Sequence, residues 1–255
     1  MSTVTKQLRK AARVILIGAP GVGKGTQSER LLARFPQLAS ISSGDLLREN
    51  VRRRTPLGLE AEAAIQSGEL VPDSMILNLI SDDMKSKGWL LPKVESPVPS
   101  STSPSSSSPT GTPSSAHSID PSASFILDGF PRTAAQAASL DEIVPVNFVV
   151  HLVTPPSVIL ARIASRWVHE PSGRVYNTDF HPPKVQGRDD VTGDVLTQRE
   201  DDSLETWTQR LRKFEETSQA LLEHYDRRRC LFRVEGDSSD EISPKLFAEF
   251  EQRFC

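Results

Sequence analysis

Val14-Ile15-Leu16-Ile17 runs directly into Gly18-Ala19-Pro20-Gly21-Val22-Gly23-Lys24-Gly25-Thr26, and a helical pattern follows from Gln27 to Phe35. Apolar strand, glycine-rich loop and helix, in that order, make the setting of a phosphate-binding loop. The glycines let backbone N–H groups converge on phosphate oxygens, and the helix N-terminus adds partial positive charge. Lys24 brings a full charge to the β- and γ-phosphates, and Thr26 can offer a hydroxyl to Mg²⁺. A glycine-rich turn without a ligand would need the flexibility but not a lysine at this spacing. In one respect the loop departs from the general pattern: Gly25 separates Lys24 from Thr26.

Outward from the loop, Phe35-Pro36 ends the helix, since proline disfavours helix in the residue before it. Residues 38–42 read as a short strand, and Ser43-Gly44-Asp45 starts a helix. Further helical segments span 59–66 and 74–85, joined by a turn that places Pro72 at a helix start. Apolar strands are expected at 125–128, 148–153 and 231–234. Pro155-Pro156 opens a helix through Arg166, and regular periodicity is lost from 167 to 202. Leu204, Trp207, Leu211, Phe214, Ser218, Leu221 and Tyr225 then recur at spacings of three and four, the mark of an amphipathic helix. Residues 242–254 read as a closing helix. Strands alternating with helices, several of them wholly apolar, predict an α/β fold with a parallel five-stranded sheet covered on both faces.

A chain of 255 residues with net charge −3 has no basic excess that would suit nucleic acid. No apolar run approaches the roughly 20 residues of a membrane span, and no secretory signal core is present. Cys230 and Cys255 make neither a metal quartet nor a disulfide framework. Thirteen serines and six prolines fall within residues 96–124, too little apolar matter to offset ordering entropy. A disordered insert over 93–123 is therefore expected, looped out of a compact domain. Lys6, Arg9, Lys10 and Arg13 precede the first acid, Glu29. Such a leader is compatible with mitochondrial import and equally with a solvated tail.

Asp128, at the end of a buried strand, can hold Mg²⁺ directly or through water, or simply begin a turn. Gly129-Phe130-Pro131-Arg132 follows, with Gln136 beyond, and a guanidinium at that strand end can clamp phosphate. Ser43 opens a helix where it can contact an anion or merely cap the helix, and Arg48 follows at a fixed reach. Arg162 and Arg166, spaced i, i+4, are expected on one helix face. Arg199 and Arg210 flank the return from the irregular stretch. Taken singly, each arginine reads as a solvated surface residue. Together they supply the dispersed positive charge that phosphoryl transfer needs.

The loop motif, Ser42-Ser43-Gly44-Asp45-Leu46-Leu47-Arg48, Asp128-Gly129-Phe130-Pro131-Arg132-Thr133 and Ser172-Gly173-Arg174-Val175-Tyr176 together resemble the long-lid adenylate kinases, over essentially the whole chain except the Ser/Pro insert. The resemblance implies Mg²⁺-dependent transfer of a terminal phosphoryl group from GTP (or ITP) to AMP by a monomer, with no nucleic-acid or membrane partner. The alternative of another class, a non-catalytic nucleotide-binding module, is opposed by the retention of Lys24, Asp128, Arg48, Arg132, Arg166, Arg199 and Arg210. Within the family, the stretch from Arg162 to Asp202 is most similar to mitochondrial members that use GTP. Trp167 stands where ATP-using relatives often carry Arg, so GTP is the expected donor, ATP the alternative, and the mitochondrial matrix the expected compartment, with the cytoplasm as alternative. Gly21, Val22, Gly23, Lys24, Gly25 and Thr26 would hold the donor's phosphates, with Arg162, Arg166, Val175, Tyr176 and the backbone near Ser238 around the rest of it. Ser43, Arg48, Glu69, Leu70, Val71, Gly129, Phe130, Pro131, Arg132 and Gln136 would hold AMP. Arg199 and Arg210 would close on the phosphates. A core would carry an AMP-binding excursion at 42–71 and a lid at 165–202. Some lids of this family bind zinc through four cysteines. The matching positions here are His169, Ser172, Asp189 and Thr192, which lack thiolates and suit a hydrogen-bonded polar cluster with no zinc site.

Overall fold

The computed structural model describes residues 6–92, 117–178, 182–198 and 203–255. In chain order, β1 (Arg13–Ile17) leads to α1 (Lys24–Arg34), β2 (Ala39–Ser42), α2 (Ser43–Arg52), α3 (Pro56–Ser67) and α4 (Asp73–Ser86). Short strands β3 (Leu90–Pro92) and β4 (His117–Ile119) follow, then β5 (Phe125–Asp128), α5 (Ala134–Asp141), β6 (Phe148–Val153) and α6 (Pro156–Ala164). The lid region holds β7 (Arg166–His169) and β8 (Arg174–Asn177). The chain closes with α7 (Leu204–Arg227), β9 (Leu231–Glu235) and α8 (Ser239–Phe254).

Five strands pair in the order β2-β5-β1-β6-β9, all parallel, as the alternating pattern predicted. Alternate residues of the sheet face two separate apolar layers. Ile15, Ile17, Phe125, Leu127 and Val149 pack with Leu47, Ile80, Met84, Leu140, Leu221 and Tyr225. Val14, Leu16, Ile126, Phe148 and Val150 pack on the other side with Leu31, Ile159, Leu246, Phe250 and Phe254. Each such buried side chain stabilises the fold by about 1.5–3 kcal/mol relative to exposure. No helix among the described residues is long and apolar enough to cross a membrane.

The structure departs from the sequence reading at four places. Arg166 starts β7, paired with Asn177, so it does not share a helix face with Arg162. Ser165 breaks the helix first, at φ −110°, ψ 17°. Leu204, the first residue of the expected apolar stripe, is 66% exposed, and burial begins at Trp207. The region expected to lack periodicity contains the β7–β8 ladder. Finally, the described chain resumes at residue 117, inside the stretch read as insert. There β4 pairs antiparallel with β3, and the Asp120 amide donates to the Trp89 carbonyl at 2.8 Å. Residues 93–116, most of that insert, lie outside the described residues.

Helices α2 and α3 cross at Gly58, where an added Cβ would lie 2.1 Å from the Asn50 carbonyl oxygen and 2.3 Å from its carbon. Both contacts are rigid backbone, so the crossing would have to open. Gly58→Ala is expected to destabilise the protein by about 1–3 kcal/mol through overpacking. A melting curve identical to that of the unmodified protein would show that the two helices separate without cost.

Candidate active site

The C-terminal ends of β1, β2 and β5 lie level, with Leu16 and Ser42 both in register with Asp128. The chain leaves β1 to one side for β2 and β5 and to the other for β6 and β9, so β1 is where the winding reverses. Open parallel sheets bind ligands in the crevice at such a point. The glycine loop fills it. Gly21 sits at φ 85°, and a Cβ there would lie 2.7 to 2.9 Å from Ile163 and Ile159 of α6. Lys24 Nζ bends back to donate to the carbonyls of Gly18 at 2.9 Å and Ala19 at 3.1 Å. Burial pushes its amine down to about 8, against the opposing charge of Asp128. Burial likewise pushes the Asp128 carboxyl above its ordinary range, with the Lys24 charge working against the rise.

Beside the loop lies a cavity lined by Ser43, Arg48, Glu69, Leu70, Val71, Phe130, Arg132, Gln136 and Arg210, with Gly44, Leu47, Ile65 and Ile76. Of the residues expected to meet AMP, all lie here except Gly129 and Pro131, which are the next links of the same turn, and Arg199. Ser42, not Ser43, is the N-cap of α2 and accepts from the Asp45 amide at 3.3 Å. Ser43 is buried, its hydroxyl has no hydrogen-bond partner among the described residues, and it lines the cavity. A buried hydroxyl left unpartnered costs free energy unless a ligand completes it. Arg132 donates through Nε to the Gly129 carbonyl at 2.8 Å, and Arg48 pairs with Asp45. The charges of Arg132, Arg210, Arg48 and Asp128 act on one another, and those of Arg132 and Arg166 reach Lys24.

The lid residues take two roles. Arg174 forms a bidentate ion pair with Asp189, Nε at 2.8 Å and Nη2 at 2.6 Å. Tyr176 donates its hydroxyl to Asp189 at 2.9 Å, and His169 meets Ser172 at 2.7 Å and Asp194 at 3.1 Å. Thr192 donates to Asp189 at 3.0 Å. His169, Ser172, Asp189 and Thr192 thus belong to one hydrogen-bonded cluster. Arg174 holds the Asp189 carboxyl far below its usual range. The Tyr176 hydroxyl is thus engaged inside this cluster, where it also accepts from the Asp190 amide at 2.9 Å. Arg162 staples the loop to the β9–α8 turn, donating to the carbonyls of Val22 at 3.1 Å and Asp237 at 2.8 Å. The Ser238 hydroxyl caps α8 by accepting from the Glu241 amide. Arg199 lies outside the described residues.

Two residues that sequence reasoning passed over sit in the frame of the site. Asp73 accepts from the Gln136 side-chain amide at 2.7 Å. Trp207 looked like one more member of an apolar stripe, yet its indole N–H donates to the Pro20 carbonyl in the glycine loop at 2.9 Å. No pattern in the sequence marks a stripe residue as a donor. On the same face of α7, Thr206 donates to the Gln66 carbonyl and Arg210 to that of Ile65. The first turns of α7 therefore tie the loop to the end of α3. Trp207→Phe should keep most of the packing and lose only the N–H. The expected result is a rise in KM for the triphosphate of about 2- to 10-fold, the worth of one hydrogen bond, with KM for AMP unmoved. Equal changes in both constants would show that Trp207 acts on the fold as a whole.

Comparison with known proteins agrees with this geometry. A family model described as adenylate kinase matches residues 16–93, and one described as adenylate kinase, active site lid, matches 166–201. A Saccharomyces cerevisiae protein named GTP:AMP phosphotransferase, mitochondrial, is 42% identical over 252 residues, covering 97% of this chain and 95% of its own length. The Drosophila melanogaster protein of the same name is 36% identical over 237 residues, covering 93% of this chain and 94% of its own. With the phosphate loop, the cationic cavity beside it and the lid all in place, the chain belongs to the adenylate kinase family.

Proposed function

We propose that this protein transfers the terminal phosphoryl group of GTP, or ITP, to AMP, giving GDP and ADP. The observation that carries the reading is the pairing of two anion sites at one sheet edge: the loop around Lys24, and the cavity with Ser43, Arg48, Arg132 and Arg210. A triphosphate on the first and a monophosphate in the second would meet end to end. Gly21 to Thr26 hold the β- and γ-phosphates through backbone N–H groups and Lys24. AMP sits among Ser43, Arg48, Glu69 to Val71, Gly129 to Arg132 and Gln136. Its phosphate attacks the γ-phosphorus in line, the bond to the β-phosphate oxygen breaks, and no covalent enzyme intermediate is needed. Arg132, Arg166, Arg199 and Arg210 stabilise the charge spread over the transferring oxygens. The 42–71 and 165–202 excursions close over the substrates and exclude water, which would otherwise hydrolyse the triphosphate.

Asp128 and Thr26 fit Mg²⁺. Both offer oxygen, the ligand type this ion takes, and Asp128 stands one strand from the loop and within electrostatic reach of Lys24. When bound there, the ion neutralises charge on the β- and γ-phosphate oxygens. We take the working unit to be a monomer. The names of the relatives and the basic residues Lys6, Arg9 and Lys10 support a mitochondrial place, and we assign the protein to the matrix within it.

Phosphate contacts ignore the base, so the donor is decided where the base edge meets protein, near Arg162 and the turn at 236–238. The decisive measurement is kcat/KM for GTP, ITP and ATP at fixed AMP and Mg²⁺. GTP is expected to exceed ATP by well over tenfold, because a mismatched edge leaves buried polar groups unpaired. Equal or better use of ATP would make this an ATP-dependent member of the family.

Lys24 gives a second test. Its amine, near 8 in the unliganded protein, must be protonated to hold phosphate. As pH rises through that value the charged fraction falls, so kcat/KM for the triphosphate should decline about tenfold per pH unit above it. Bound phosphate favours the ammonium form, so the limb in kcat should lie higher. Lys24→Arg, which stays charged, should lose the limb altogether. A limb that persists in that variant would belong to another group.

A further inference from the structure

We infer that Asp73 determines which purine the monophosphate site accepts, by locking the Gln136 side-chain amide in one orientation. The inference rests on the reading that Gln136 faces the base of AMP. Gln136 is 3% exposed and lines the cavity. Its Oε1 accepts from the Arg132 backbone N–H at 2.7 Å. Its Nε2 donates to Asp73 Oδ1, also at 2.7 Å.

The chemistry of these two partners settles the amide. A backbone N–H can only donate and an ionised carboxylate can only accept. Turning the amide over would set Nε2 against an N–H and Oε1 against a carboxylate, losing two hydrogen bonds and gaining two repulsive contacts. The oxygen and nitrogen are therefore placed by their partners, and the flip that usually leaves an amide ambiguous is closed. What remains for a ligand is one N–H and one oxygen lone pair, in a single order. Adenine offers an acceptor at N1 beside an amino donor at N6. Hypoxanthine offers the reverse, a donor at N1 beside an acceptor at O6. An amide held in one order matches one of these edges, whereas an amide free to turn matches both.

Asp73 has a simpler role open to it, as the acid in the first turn of α4, where a negative charge suits the helix terminus. That role concerns stability and is blind to the base, so specificity separates the two. Asp73→Asn is the informative variant, because an amide at 73 can both donate and accept and so tolerates either orientation of Gln136. The experiment measures kcat/KM for AMP and for IMP with GTP as donor, in the unmodified protein, Asp73→Asn and Gln136→Leu, with melting temperatures recorded. The expected result is a fall of tenfold or more in the AMP:IMP ratio for Asp73→Asn, while KM for GTP stays within about twofold. In Gln136→Leu, KM for AMP should rise and the ratio should approach one.

If Gln136→Leu weakens AMP but Asp73→Asn leaves the ratio unchanged, the lock is overturned and the placement of AMP stands. If Asp73→Asn lowers the melting temperature and harms AMP and IMP alike, Asp73 is a helix-end charge and the lock is likewise overturned. If Gln136→Leu changes neither KM for AMP nor the ratio, the base does not meet Gln136, and the lock falls together with that placement.

Discussion

The rest of the structure depends on gathering positive charge where nothing in the fold itself asks for it. Lys24 follows β1, Arg48 lies on α2, Arg132 follows β5, Arg166 starts β7 and Arg210 lies on α7, yet their charges act on one another across one cleft. Burial is the chief cause of the lowered Lys24 amine, and the like charges of Arg132 and Arg166 add to it. Asp128 offsets part of it. The two apolar layers make the arrangement tolerable, because they fix the strand ends from which these side chains spring. On the proposed reading, a phosphate chain bound there would supply negative charge that relieves the repulsion among these like charges.

Holding the pieces at the right separation falls largely to α7. It is 24 residues long, roughly 36 Å at helical rise, and is capped by Ser203. Its first turns reach the loop through Trp207, the end of α3 through Thr206 and Arg210, and Glu69 through Gln209 and Lys213. The lid enters the helix at its head. The head of α7 therefore touches both the glycine loop and the wall of the cavity. Such a joint suits an enzyme that must not expose one substrate to water while the other is absent.

Much of this was legible before any coordinates. Five apolar strands among helical segments implied the sheet, and the loop implied its phosphate site, because hydrophobic period and glycine spacing are local signals. The four motifs shared with the adenylate kinases were visible because each is a contiguous stretch. Other features depend on tertiary geometry. The end of α6 before Arg166 was hidden because 156–166 keeps a helical composition, while the break is set by Ser165 and by pairing of Arg166 with Asn177. Ser42 and Ser43 are the same residue type side by side, and only the backbone shows which one caps and which one points into the cavity. Trp207 and Asp73 act through single hydrogen bonds to residues far away in sequence, a relation that spacing cannot express.

The lid shows how one scaffold can be held by different chemistry. A metal would draw four chain positions to one point by strong, directional bonds. Here the same positions are drawn together by a buried carboxylate. Asp189, with a side chain fully enclosed, accepts from Arg174 twice, from Tyr176 and from Thr192, and from two backbone amides. The arrangement only works if Asp189 stays ionised, and Arg174 ensures this by holding its carboxyl far below the usual range. The sign of the linkage follows. The contribution is complete above the unfolded carboxylate's value and is lost only as pH falls through the depressed folded one, so it is whole at neutral pH. His169 contributes differently, joining Ser172 and Asp194 through its two ring nitrogens at the edge of the cluster. Removing any one partner would leave the buried Asp189 charge underpaired.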